Sequence, residues 1–169
     1  MVDKLHTAIV AALNASAAQF GAATLLVSLP LLAVAYLLSL LHLPLPFIAP
    51  LVVCAHMLPL SLLAHEFAHA AVAVTLLPTA ERHLVFGAGT VRRSSIYRPA
   101  TDSTSAALIS VAGPTAGLAC AVPVMLVGSD VIGVFPWILP FLVHLASLSP
   151  SSADGAHILR YAKGLLPRA

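Results

Sequence analysis

The chain has 169 residues, of which 60% are hydrophobic and 8% are charged, and its formal net charge is +2. Soluble domains carry about 25% charged residues. This composition therefore excludes an ordinary soluble globule and indicates an integral membrane protein. The small net charge and the scattered basic residues argue against a nucleic-acid partner. The length suits one domain of several helices, residues 1–169.

Four apolar segments are long enough to cross a bilayer, which takes about 20 mainly apolar residues. They are residues 21–42, 47–77, 103–127 and 131–148. Ahead of the first span, the apolar residues of segment 5–20 recur at roughly helical spacing, so this segment could lie at the membrane interface or prolong the first helix. The predicted fold class is an all-α polytopic membrane protein with about four transmembrane helices.

The connections between the spans differ in their charge. The turns 42–46 and 128–130 contain no Lys or Arg, whereas the loop 78–102 has four arginines and the C-terminal tail has further basic residues. We predict a multi-pass protein of a cell membrane, either the bacterial inner membrane or a plasma membrane. The positive-inside rule predicts that both termini and the long loop lie in the cytoplasm. β-type residues broken by glycines over 83–97 predict a small hairpin on that side. The apolar face of 158–166 predicts a C-terminal amphipathic helix.

The second span contains the sequence His-Glu-Phe-Ala-His at residues 65–69. The spacing puts the imidazoles of His65 and His69 on one helix face. Between them stands Glu66, the only acidic residue of segment 47–77, which also contains no Lys or Arg. An ionisable residue inside a span is costly and indicates a functional site. The pattern predicts a Zn²⁺ site with two histidine ligands and Glu66 as the group that acts on water.

A catalytic zinc usually takes three protein ligands, so a third must come from elsewhere in the chain. Asp154 follows the fourth predicted span by six residues and returns to the bilayer end where His69 lies. Asp130 falls on the opposite side, about 30 Å away. The predicted metal ligands are therefore His65, His69 and Asp154. The acidic residues of the chain other than Glu66 are Asp3, Glu81, Asp102, Asp130 and Asp154.

Three segments resemble, in their order and spacing, the site-2 protease family of intramembrane zinc metalloproteases. Residues 65–69 resemble the family's metal-binding motif. Residues 109–117, with Ala-Gly-Pro at their centre, resemble the segment that packs beside the metal helix, and residues 154–159 resemble the Asp-Gly motif that gives the third ligand. Residues 85–89 also resemble the glycine-bearing strand that follows the metal helix. The resemblance covers roughly residues 47–160, the predicted core.

The resemblance implies a zinc metalloendopeptidase that hydrolyses a peptide bond of a single-span membrane protein near its cytoplasmic end. The predicted role of Glu66 is to take a proton from water and pass it to the leaving amine. The substrate helix must unwind locally, and pairing with the strand that contains Val85, Phe86 and Gly87 is one way to hold it extended. The partners beyond the lipid bilayer are this substrate and, left open, a second copy of the chain or a regulatory subunit.

The chain departs from the resembling family at positions that are associated there with substrate placement and oxyanion stabilisation. Gly117 stands where the family usually has Asn, and residues 148–153 lack an Asn-containing run. His144 or the serines of residues 148–153 could support the transition state instead. These departures leave a second class of function open, a non-proteolytic zinc-binding membrane regulator or partner subunit. Binding of haem is disfavoured, since two ligands on one helix face suit one small ion.

Overall fold

A computed structural model describes residues 2–127 and 138–165 of the protein. The described residues are mostly helical and include one two-stranded antiparallel sheet. Three helical segments among them are long and apolar enough to cross a membrane, Asp3–Leu40, Leu45–Leu76 and Ser103–Val127. The prediction of a largely helical membrane protein is thus supported, and three of the four predicted spans coincide with such helices.

The first of these segments is one continuous helical rod with a π turn in its middle. Helix α1 (Val2–Ala23) passes through the π turn (Thr24–Ser28) into α2 (Leu29–Leu40), whose first N–H bonds to the carbonyl of Thr24. Pro30 cannot donate a backbone hydrogen bond, and its ring would clash with a carbonyl one turn earlier, so a wider turn before it relieves the conflict. The N-terminal segment therefore prolongs the first helix.

Helix α2 ends in a Schellman motif that reverses the chain into α3 (Leu45–Leu76). His42 has a φ of 56°, the left-handed conformation that this cap requires. The N–H of Leu43 bonds to the carbonyl of Leu38, and that of His42 bonds to Ser39. The short turn places α2 and α3 side by side.

Alanines form the contact between the first half of α1 and the last turns of α3. Small side chains let the backbones of membrane helices approach closely. The same buried cluster includes Val85, after α3, and Ile109, so the start of the first helix, the end of the second and the start of the third meet at one end of the bundle. The cluster contains Ala8, Ala11, Ala70, Ala73, Val74, Leu77, Val85 and Ile109.

The predicted hairpin is present, with strand β1 (Phe86–Gly89) antiparallel to β2 (Ser94–Tyr97). Phe86, the first residue of β1, lies opposite Tyr97, the last residue of β2. Their rings are stacked, with centroids 4.9 Å apart, and hold the open end of the hairpin together. A 3-10 turn (Thr79–Leu84) connects α3 to this hairpin. Whether the hairpin faces the cytoplasm stays a prediction.

Strand β1 packs directly on the backbone of α1. A Cβ at Gly87 would collide with the carbonyl oxygen of Ala11, and one at Gly89 would collide with that of Ala15. Only a residue without a side chain permits this approach. The glycines of the long loop are therefore required by a strand-to-helix contact.

The third candidate span begins at Asp102, whose carboxylate accepts hydrogen bonds from the N–H groups of Thr104 and Ser105 and so caps the helix. The span consists of α4 (Ser103–Ala119) and the short α5 (Val122–Val127). Helix α4 packs against α3.

The fourth predicted span, 131–148, is not confirmed. Residues 131–137 lie outside the described part of the chain. From residue 139 the chain forms a 3-10 turn (Leu139–Leu142), a single α-helical turn α6 (Val143–Ala146) and further turns. We call residues 138–152 the return segment, since it runs from Phe141, packed beside Cys54 of α3, back towards the middle of that helix.

The tail forms a helix, α7 (Ala153–Leu165), which packs against α4. A helix at this position agrees with the sequence pattern over residues 158–165, while residue 166 lies outside the described part. Attachment of α7 to a membrane surface as an amphipathic helix stays a prediction.

Candidate metal centre

The structure brings His65, His69 and Asp154 together, and all their ligand atoms lie within 4.8 Å of one another. The Nε2 atoms of the two histidines are 3.1 Å apart. Asp154 Oδ2 lies 3.3 Å from Nε2 of His69 and 3.8 Å from Nε2 of His65. Ligand atoms about 2.0–2.2 Å from a tetrahedral zinc are separated by about 3.3–3.6 Å. The three atoms therefore form a triangle of the size that one small metal ion requires.

The imidazole of His69 is fixed by a hydrogen bond to the backbone of α4. Its Nδ1 lies 2.6 Å from the carbonyl oxygen of Ile109. A carbonyl can only accept, so Nδ1 carries a proton, and in the neutral ring Nε2 keeps its lone pair. Gly113, one turn further along α4, makes space for the ring, since a Cβ there would collide with the His69 imidazole.

His65 is oriented by a chain of hydrogen bonds that begins at Ser61. The hydroxyl of Ser61 donates to the carbonyl of Leu58 at 2.6 Å. Its oxygen is therefore the acceptor for Nε2 of His144, 3.0 Å away, which leaves Nδ1 of His144 without a proton. That nitrogen lies 3.1 Å from Nδ1 of His65, which must donate to it. Nε2 of His65 consequently also keeps a lone pair.

Both histidines thus direct acceptor nitrogens at the same point as the carboxylate of Asp154. With both rings neutral, three acceptors lie 3.1–3.8 Å from one another and repel, whereas a His69 ring protonated at Nε2 would donate to Asp154 instead. A cation between them removes this repulsion. Metal-binding histidines typically donate their other ring N–H to a carbonyl or another acceptor, which fixes the tautomer and the ring orientation. The surroundings of His65 and His69 have this form.

Asp154 lies in the first turn of α7, and the residues around it explain why the chain folds this way. The hydroxyl of Ser152 accepts the N–H of Gly155 at 3.0 Å, which caps the helix. The single proton of the same hydroxyl is shared between the carbonyls of Ser147 and Ser149. A Cβ at Gly155 would collide with the Ser149 carbonyl, so the Asp-Gly pair is needed for the helix to begin against the return segment.

Glu66 is connected to the hairpin. Its Oε1 accepts the hydroxyl proton of Ser94, the first residue of β2, at 2.5 Å. Among the described residues no hydrogen bond to Oε2 is found. The Glu66 residue is only 4% exposed. No local pattern in the sequence indicates a role for Ser94, because the contact depends on how the hairpin folds back over α3.

The metal ligands and Glu66 line one cavity of about 650 Å³. Its wall includes residues of β2 and of the return segment. The lining is rich in polar side chains and includes Gln19, Arg92, Arg93, Ser94, Arg98, Ser110, Ser147, Ser151, Ser152 and His157.

The residues predicted to bind substrate, Val85, Phe86 and Gly87, do not line this cavity. Val85 is buried in the alanine cluster, and Phe86 is exposed and stacked on Tyr97. Gly87 packs on α1. The strand beside Glu66 is β2 instead. Alternation of residue types could not separate the two strands, since both are four residues long and partly exposed.

His144 is buried between the metal-bearing helix and α4. A Cβ at Gly117 would collide with its ring, just as one at Gly113 would collide with the ring of His69. The Gly-x-x-x-Gly spacing in the sequence indicated a close approach of two helices. Its role here is to accommodate two imidazoles.

Comparison of the chain with protein-family models, with curated proteins and with solved structures finds no match in any of the three.

Proposed function

We propose that this protein is a zinc-dependent endopeptidase that acts within a membrane and that it belongs to the site-2 protease family. The observation that carries the proposal is the convergence of three metal-ligating acceptors with the carboxylate of Glu66 in one cavity. With neutral rings at both histidines, two lone pairs are directed at the carboxylate of Asp154, an arrangement that a bound cation stabilises.

Two imidazole nitrogens and one carboxylate oxygen occur in catalytic zinc sites with an open fourth position, and the same set also suits non-haem iron(II). The carboxylate of Glu66 between the two histidines is the feature that favours zinc, since this spacing is typical of zinc peptidases. His65 and His69 would hold the ion from α3, and Asp154 would hold it from α7. When bound, zinc supplies a Lewis acid that activates water and polarises a carbonyl group.

Glu66 is the proton carrier in this proposal. Ser94 holds one carboxylate oxygen, and the other oxygen accepts the proton of the attacking water and later gives it to the leaving amine. Such a general base typically contributes 10²–10⁴-fold to the rate. The hydrogen bond from Ser94 restricts the carboxylate to one orientation.

The substrate in this proposal is a single-span membrane protein whose helix unwinds near its cytoplasmic end. An extended segment could add to the edge of β2 that is not paired with β1, since main-chain hydrogen bonds at a sheet edge bind a peptide without regard to its side chains. Ser94, Ser95 and Ile96 of that strand line the cavity. In this proposal the substrate segment therefore pairs with β2, and not with β1 as the sequence pattern predicts.

The location in a cell membrane, with four spans and with both termini and the loop 78–102 in the cytoplasm, is also proposed. It rests on the distribution of basic residues. The contacts among the first half of α1, the hairpin and the ends of α3 and α4 support a common end for these parts.

A second candidate function is that of a metal-binding membrane regulator without peptidase activity. The observation in its favour is the Ser94–Glu66 hydrogen bond, which gives Glu66 a structural role in fastening the hairpin to α3. In that case the carboxylate holds the fold and moves no proton.

The deciding experiment compares Glu66→Gln with the unaltered chain. Gln keeps an oxygen that accepts from Ser94 but cannot take a proton. The peptidase proposal predicts stoichiometric zinc in both purified proteins and, in cells that produce Glu66→Gln, accumulation of an uncleaved membrane protein. Equal membrane proteomes, together with no cleavage by the zinc-loaded enzyme, would favour the regulator. Absence of zinc from both would remove the metal site altogether.

A further inference from the structure

A second cavity, of about 330 Å³, lies where the loop before α4 meets α7. Arg98 and His157 line both this cavity and the larger one. Among the residues that the structure describes, no acidic side chain lines the second cavity. Its lining residues are Arg98, Ala100, Thr101, Ser103, Ala106, His157 and Arg160. We call it the arginine cavity.

Neither arginine of this cavity is paired with a carboxylate within the described residues, whose ion pairs within 4.0 Å involve only Asp154 and the metal-binding histidines. Arg98 donates to the hydroxyl of Thr101 at 2.7 Å. Arg160 donates to Nδ1 of His157 at 2.9 Å, so the ring proton of the neutral His157 is on Nε2. The guanidinium groups are held by neutral acceptors, so their charges are not compensated.

Both charges act on the arginine cavity. Burial, the charge of Arg160 and the charge of Arg98 hold the pKa of His157 below its usual range, against a smaller opposite effect of the Asp154 charge. Burial also lowers the pKa of Arg98. The nearby carboxylate of Asp102 is engaged in capping α4 and does not line the cavity. An anion would therefore be attracted to this place.

The position of the cavity indicates which anion it meets. Its wall includes Ser103, the first residue of a helix that is long and apolar enough to span a membrane. When such a helix crosses a bilayer, its end lies at the level of the lipid head groups. Arginine is suited to phosphate because its planar group can donate two parallel hydrogen bonds.

We propose that Arg98, His157 and Arg160 form a binding site for a phosphate group, supplied by the head group of an anionic phospholipid. Since Asp154 precedes His157 by one turn of α7, a lipid bound here holds the helix that carries the third metal ligand. The proposal does not depend on peptidase activity.

The test is the midpoint of thermal unfolding, Tm, of the full chain in a neutral detergent. Phosphatidylglycerol, phosphatidylcholine and inorganic phosphate are added separately at equal phosphate concentration. We expect phosphatidylglycerol to raise Tm by several degrees more than phosphatidylcholine does, and inorganic phosphate to have little effect. Arg160→Gln should lose at least half of the shift, and the double variant Arg98→Gln/Arg160→Gln should lose all of it.

Lys163→Gln is the matched control, since it removes the same charge from α7 outside the cavity. It should keep the full shift. An equal shift in Arg160→Gln and Lys163→Gln would overturn the proposal, as would equal effects of the two lipids on the unaltered chain. An equal shift with inorganic phosphate would overturn the lipid as the source. Arg160 is exposed, so its variant tests the site even if the double variant does not fold.

Discussion

The position of one proton decides whether His65 can bind a metal ion. Nδ1 of His65 must donate a hydrogen bond to His144 for Nε2 of His65 to keep a lone pair. Nδ1 of His144 can accept that bond because the ring proton of His144 is on Nε2, which donates to the hydroxyl of Ser61. Ser61 and His65 are four residues apart on α3, while His144 comes from the return segment. The metal ligand is thus oriented by a partner far away in the sequence.

His144→Phe keeps a ring at the buried position but offers no acceptor to His65. We expect the affinity for zinc to fall by about 10- to 100-fold, the usual effect of losing a partner that orients a metal-binding histidine. Competition with a chelator of known affinity measures it. His56→Phe is the control, since His56 is exposed on the same helix and bonds only within it. An unchanged affinity in His144→Phe would contradict the proposed orientation of His65.

Asp154→Ala should leave a purified protein that binds far less than one zinc per chain. The reason is that Asp154 is the only acid among the described residues that stands with His65 and His69 in a metal-sized group. Elemental analysis of the dialysed protein measures the zinc. Asp102→Ala removes the same charge outside the site and should keep its zinc. Stoichiometric zinc and full activity in Asp154→Ala would exclude this residue as a ligand.

At the scale of elements, the glycines of α4 determine how closely it approaches the metal-bearing helix. Gly113 faces the ring of His69, and Gly117 faces that of His144. A helix with side chains at both positions would have to move away, and the carbonyl of Ile109 would move with it. The spacing of these glycines therefore sets the hydrogen bond that fixes His69.

Gly113→Ala should destabilise the protein by about 1–3 kcal/mol, the usual effect of forcing an extra carbon into a packed site. It should also weaken zinc binding, since the added Cβ displaces the His69 imidazole. Gly21→Ala is the control, because a Cβ there meets nothing within 4 Å, and alanine in a helix should stabilise by about 0.5–1 kcal/mol. Denaturation in detergent compares the two. Equal effects of both substitutions would mean that Gly113 is not a packing position.

Much of the element order could be predicted from composition and periodicity. The second and third spans and the hairpin lie within a few residues of their predicted limits, since long apolar runs and β-type residues between glycines carry strong local signals. Asp154 could be selected because chain topology returns it to the end where His69 lies. The contacts of Ser94 with Glu66 and of Ser61 with His144 could not be predicted from the sequence, because they depend on how distant segments meet in three dimensions.

At the scale of the whole molecule, the return segment is the main departure from a simple helical bundle. Its irregular backbone would leave carbonyl oxygens without donors, and serine hydroxyls serve as donors for some of these oxygens. The hydroxyl of Ser147 donates to the carbonyl of His144, and the one proton of the Ser152 hydroxyl is shared between the carbonyls of Ser147 and Ser149. Non-helical backbone at membrane depth is tolerated where it is buried in protein or lines a cavity. This segment lines the larger cavity with Ser147, Ser151 and Ser152.

The orientation of the molecule can be tested by labelling single cysteines in cells, after Cys54 and Cys120 are replaced by alanine. Thr90→Cys, in the hairpin turn, should react with an impermeant maleimide only from the cytoplasmic side, because the arginines of its loop are retained there. Leu43→Cys, in the turn without basic residues, should react from outside. Labelling of position 90 from outside would reverse the proposed topology.

The two histidines and the aspartate belong to parts of the chain that are far apart in sequence, so an ion held by all three is a cross-link. Joining distant segments reduces the freedom of the unfolded chain, as a disulfide does. Without the ion, the C-terminal helix loses this cross-link and keeps its packing on α4 and the turns before it. We expect a chelator to make residues 147–152 sensitive to proteolysis while the helices before them stay protected. A molecule that failed to acquire its metal would then expose its own tail, and cellular proteases would remove it first.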